Sequence, residues 1–92
     1  KHIDKNKLSI DPRSVEIIFK FGIYYKNNSQ VNKAIELLEQ IVNYYDKDSL
    51  KVNLTNNTIK KEVYYYLAII YEDIKDYPKS VYYYKLLISE IK

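Results

Sequence analysis

Apart from Leu50, Val52 and Leu54, which stand between the second and third stretches, most apolar residues fall at helical spacing in four separate stretches. Asp11-Pro12 sets a capping residue before a proline, and Val15, Ile18, Phe21, Gly22 and Tyr25 follow, which predicts a helix over 12–26. Asn27-Asn28-Ser29 ends it. Ser29 is the expected cap of a second helix that turns Val31, Ala34, Ile35, Leu38, Ile41, Val42 and Tyr45 inward. So short a break makes the two antiparallel neighbours, a hairpin over 12–45. From 46 to 57 the period is lost and Asp, Ser, Asn and Thr accumulate, as in a linker. Thr58 can cap a third helix reaching Lys75, whose KEVYYYLAII segment is apolar nearly all round, as a helix held between neighbours should be. Asp76 can cap a fourth, with Pro78 tolerated in its first turn and Val81, Tyr84, Leu87, Ile88 and Ile91 facing inward. The expected layout is an N-terminal arm over 1–11, partly ordered, then one helical domain over 12–92 containing hairpins 12–45 and 58–91.

The two hairpins repeat each other. Tyr64, Leu67, Ala68, Tyr71, Tyr77, Ser80, Tyr84 and Leu87 each lie 46 residues after Ile18, Phe21, Gly22, Tyr25, Val31, Ala34, Leu38 and Ile41. Small residues (Gly22 with Ala34, Ala68 with Ser80) let two backbones approach, and large residues fill the flanks. This order of small and large positions is similar to the tetratricopeptide repeat, whose usual period of about 34 residues is here lengthened by the linker. The expected fold class is therefore all-α: two antiparallel helical hairpins stacked as tetratricopeptide-like repeats in a right-handed superhelical bundle. Each such hairpin buries its faces only against neighbours, so flanking helices or self-association are expected with two.

Composition narrows the function. With no cysteine and one histidine, His2 near the terminus, neither a disulfide framework nor a thiolate or histidine metal site can be assembled, and no cofactor is expected. No carboxylate pair falls in an expected pocket, so the chain does not read as an enzyme. The net charge of +3 is spread among interleaved lysines and acids with a single arginine, unlike a phosphate-reading surface, so no nucleic-acid partner is expected. Asn27, Asn53 and Asn56 begin glycosylation-type triplets that an Asn-rich chain produces by chance. No run of about 18 apolar residues is present. Of the tyrosine runs, some members should enter the core while Tyr82 and Tyr83 stay at the surface.

A helical wheel places a second stripe beside the packed one on the first helix of each hairpin: Glu16, Phe19, Ile23 and Lys26, then Glu62, Tyr65, Ile69 and Glu72. Phe19, Ile23, Tyr65 and Ile69 would form the apolar floor of a concave groove with charges at its ends, suited to a helix or extended segment of a partner protein. The chain's own Leu8 and Ile10 could cover the same floor. A grip on a terminal carboxylate, as in cochaperone-type repeats, would want cations where this stripe is apolar or acidic.

Between Val15 and Ile91 the chain resembles the mitochondrial fission 1 protein family, through Lys33, Ile35, Leu37, Leu38 and Glu39, then Tyr66-Leu67-Ala68, and Lys75, Tyr77, Lys79 and Leu87. Ile70 and Glu72 depart from it, standing where that family has Gly and Tyr. The resemblance implies a tail-anchored adaptor on the cytosolic face of the outer mitochondrial membrane, and of peroxisomes, that recruits dynamin-related fission machinery, with the anchor C-terminal to this soluble stretch. The alternative is a generic or cochaperone-like tetratricopeptide scaffold in the cytosol.

Overall fold

A computed structural model describes residues 12–47 and 57–91; the N-terminal arm and linker residues 48–56 lie outside the described residues. The described stretches are four helices: α1 (Pro12–Asn27), α2 (Val31–Lys47), α3 (Asn57–Asp73) and α4 (Tyr77–Ile91). Asp46 and Lys47 extend α2, and α3 begins at Asn57, so Thr58 stands in its first turn rather than ahead of it.

Both hairpin turns close in the same way. At the first, the Gln30 amide donates to the Tyr25 carbonyl (2.9 Å) and the Ser29 amide to that of Lys26 (3.2 Å). At the second, Asp76 donates to Tyr71 (2.8 Å) and Lys75 to Glu72 (3.0 Å), each 46 residues on. This Schellman pairing satisfies the last carbonyls of a helix by putting one residue in the left-handed conformation, usually glycine. Here the residues are Ser29 (φ 63°) and Lys75 (φ 68°). Ser29 is therefore the stop of α1 and not the cap of α2, whose cap position Gln30 fills. Asp76 is the cap its side chain suggested, accepting from the Lys79 amide at 3.4 Å.

Helices pack most closely within hairpins; α3 then lies along α2 and, more lightly, against α1. At the first crossing, a Cβ on Gly22 would stand 2.8 Å from Leu38 Cδ2 and 3.0 Å from its Cγ, so only glycine fits without displacing a fully buried leucine. At the second, Ala68 is itself fully buried and its carbonyl accepts the Ser80 hydroxyl at 2.9 Å. The small residues thus stand at the helix crossings. Outside them, Lys33 Nζ lies over the Tyr25 ring at 5.4 Å and Lys79 Nζ over Tyr71 at 5.3 Å, again equivalent pairs. The Lys60–Glu90 ion pair (3.1 Å) joins the start of α3 to the end of α4.

The core runs from Val15 and Ile18 on α1, through Ala34, Leu38 and Ile41 on α2, to Val63, Leu67, Ala68 and Tyr71 on α3, with Tyr83 from α4. Burial departs from expectation in both directions. Phe21, Val81, Ile88 and Ile91, all expected to face inward, are exposed, whereas Tyr83, expected at the surface beside the exposed Tyr82, is buried. The exposed four lie on the outer faces of the terminal helices, where a further hairpin would be needed to cover them.

A polar tie fastens α2 to the second hairpin. Glu39 Oε2 on α2 accepts the hydroxyls of Tyr71 on α3 (2.7 Å) and Tyr83 on α4 (3.1 Å), whose rings stack parallel with centroids 5.9 Å apart. Both tyrosines titrate far above the ordinary range. Burial is the main cause for each; the hydrogen bond to Glu39 comes next for Tyr71, and the charge of Glu39 for Tyr83.

Candidate protein-binding face

The face shared by α1 and α3 receives most of the expected groove residues. On α1, Ile23 packs half-buried against the core and Lys26 sits half-buried with Nζ 6.0 Å above the Tyr66 ring. On α3, Tyr65 is about half exposed at 47%, with its ring edge-on to Tyr66 at 5.6 Å, and Ile69 is half-buried. Glu16, Glu62 and Glu72 are exposed at the margins. Glu16 reaches Lys20 at 3.8 Å, both well solvated, and Glu72 accepts the Tyr84 hydroxyl at 3.0 Å, tying α3 to α4. The Tyr84 hydroxyl is pushed above its usual range, chiefly by burial and then by that hydrogen bond.

Phe19 does not join this floor. Its side chain is 9% exposed and belongs to the core, meeting the Tyr66 ring edge-on at 5.8 Å. Tyr66, absent from the stripe that the helical wheel picks out, takes its place. It touches Phe19, Lys26 and Tyr65, and so carries the contact between the first helices of the two hairpins. The signal for it in the sequence is the unbroken run Tyr64-Tyr65-Tyr66: on one turn of helix three consecutive rings must point three ways, here into the core, outward, and across to α1.

The resulting surface carries aromatic and aliphatic carbon, with Lys26 in the last turn of α1 beside the Tyr66 ring and the exposed carboxylates of Glu16, Glu62 and Glu72. Such a surface can bury the apolar side of a helix or extended segment while the charges fix its direction. Among the described residues no group of three His, Asp or Glu side chains could hold a metal ion, and no helix is long and apolar enough to cross a membrane.

A family model described as tetratricopeptide repeat matches residues 16–48 and again 62–90. The chain belongs to the tetratricopeptide repeat family. The two matches begin 46 residues apart, the same register that relates the hairpin turns, the helix crossings and the lysine–tyrosine pairs. Tetratricopeptide repeats are in general scaffolds that bind other proteins rather than enzymes, and their presence supports an adaptor role here. No curated protein and no solved structure matches the chain.

Proposed function

We propose that the chain is an adaptor that seats a helix or extended segment of a partner protein on the α1–α3 face, with Tyr65 and Ile69 as apolar anchors and Glu16, Glu62, Glu72 and Lys26 setting its direction. One observation carries this reading. Ile23, Lys26, Tyr65, Tyr66 and Ile69 gather on the helices that open the two repeats, leaving apolar and aromatic surface beside charge rather than inside the core. The resemblance of residues 15–91 to the mitochondrial fission 1 family supplies the partner's class, a dynamin-related GTPase or its adaptor at the outer mitochondrial membrane and peroxisomes. That part rests on the sequence alone.

Titrating purified dynamin-related GTPase into the chain by calorimetry tests both parts. Ile69→Glu should abolish binding while circular dichroism and melting stay near wild type, because the side chain is only partly covered. Binding that survives the substitution moves the site off this face. A GTPase that fails to bind removes the fission reading; the same variant pair against a helical peptide partner then tests the scaffold reading alone.

A further inference from the structure

Equivalent positions of the two repeats differ in burial by a simple rule. On α3, Val63, Leu67 and Ile70 are buried to 3% exposure or less; their counterparts on α1, 46 residues earlier, are Ile17, Phe21 and Tyr24, each more than half exposed. On α2, Val42 and Tyr45 are buried; their counterparts on α4 are the exposed Ile88 and Ile91. The difference is the neighbour. α3 has α2 before it and α2 has α3 after it, as Lys60 over the Tyr45 ring (5.9 Å) and Glu39 on Tyr71 show, whereas no described element lies beyond α1 or α4.

The chain therefore displays both halves of its own internal joint, one at each end. We infer that a second copy of this chain occupies these faces head to tail, the α1 face of one copy on the α4 face of the next, rebuilding the α2–α3 packing between molecules. Two features favour a second copy as occupant. The apolar residues sit at the same repeat positions as those buried at the internal joint, and each is again aliphatic or aromatic. Spacing on each face is also the same as in the buried joint, three to four residues between successive side chains, as two helices in contact require. One position sets the strength. Glu39, which bonds Tyr71 across the internal joint, is replaced on α4 by Lys85, so the joint between copies lacks that carboxylate link and rests on apolar contact. Such a joint is heterologous, so each added copy leaves one face of each kind open, and the association extends from dimers to longer rods unless the rotation closes a ring. Phe21 and Ile88, the positions altered below, are not among the residues of the partner-binding reading, so the two are tested separately.

Sedimentation and light scattering on the full chain test it, from about 1 µM to about 1 mM, the range a small apolar joint would occupy. Average mass should climb through dimer to higher species. Phe21→Glu and Ile88→Glu alter exposed side chains, so both should fold, as circular dichroism would verify, and each alone should stay monomeric. Mixed in equal amounts they should form a dimer and nothing larger, because the intact α4 face of the first still accepts the intact α1 face of the second. A wild-type chain monomeric throughout, as when residues 1–11 or another protein cover these faces, overturns the inference. So does association that persists in either variant, or a mixture that fails to dimerise.

Discussion

Replacing Glu39 with alanine should cost the fold about 3 kcal/mol. One carboxylate oxygen accepts two tyrosine hydroxyls at 2.7 and 3.1 Å, from α3 and from α4. A hydrogen bond to a charged group contributes about 1.5–3 kcal/mol net, and the tyrosines that donate are themselves buried, so both hydroxyls lose their acceptor together. Glu39 is only half-buried, so water can replace part of the loss and the lower half of the doubled range applies. Against a stability of about 5–14 kcal/mol for a chain of this length, that is a substantial share. It corresponds to a fall in melting temperature on the order of 10–20 °C. Urea unfolding followed by circular dichroism gives the free energy. Tyrosine absorbance against pH gives a second readout, because the Glu39 charge and hydrogen bonds help hold Tyr71 and Tyr83 protonated, and both should titrate lower in Glu39→Ala. Glu39→Gln, which keeps an acceptor and drops the charge, should lose about half as much. Stability within about 0.5 kcal/mol of wild type, the ordinary scatter of surface changes, would refute the tie between α2 and the second hairpin.

Three further outcomes follow from the geometry. Lys75→Gly and Ser29→Gly should each stabilise the protein by roughly 1 kcal/mol, since both residues hold positive φ that glycine adopts freely; a lower melting temperature would mean that the turns are built differently. Ala68→Leu should cost about 1–3 kcal/mol by overpacking a fully buried crossing, and Gly22→Ala should lose more to Leu38 than the roughly 1 kcal/mol it gains in helix propensity; a neutral result for either would place the crossing elsewhere. Stability should fall on the alkaline side: Tyr45 and Tyr64 are pushed up to about 12, chiefly by burial, so the folded chain holds protons that the unfolded chain releases near pH 10. The contribution is complete below about pH 10 and declines at about 1.4 kcal/mol per pH unit for each such tyrosine until the folded values are passed. A flat stability profile between pH 10 and 12 would contradict it.

What could be read from the sequence was what short-range spacing controls. Pro12, the helical period and the side chain of Asp76 specify where helices start, and the small residues Gly22 and Ala68 mark the crossings. The largest group of failures arises because repeat positions are defined by a neighbour on each side. Phe21, Ile88 and Ile91 occupy positions that are buried in the middle of the stack and exposed at its ends. Phe19 and Tyr66 exchanged roles because the register of α1 against α3 is set by tertiary packing, which the spacing within one helix does not encode. Tyr83 lies inward, where its ring stacks on Tyr71 and its hydroxyl meets Glu39, a partner too remote in sequence for helical spacing to reveal. Ser29 reads as a cap by residue type, whereas the left-handed stop it provides is more often made by glycine.

The second repeat stacks on the first through α2 and α3, and no other described element covers the matching faces of α1 and α4. With no native cysteine, single cysteines can be placed at paired positions and their alkylation rates followed on the folded chain at low concentration. Ile17→Cys and Ile88→Cys should react as fast as a free thiol; Val63→Cys and Val42→Cys, buried at the equivalent positions, should be protected until the protein unfolds. Equal rates within the pair 17 and 63, or within 42 and 88, would contradict the stacked arrangement.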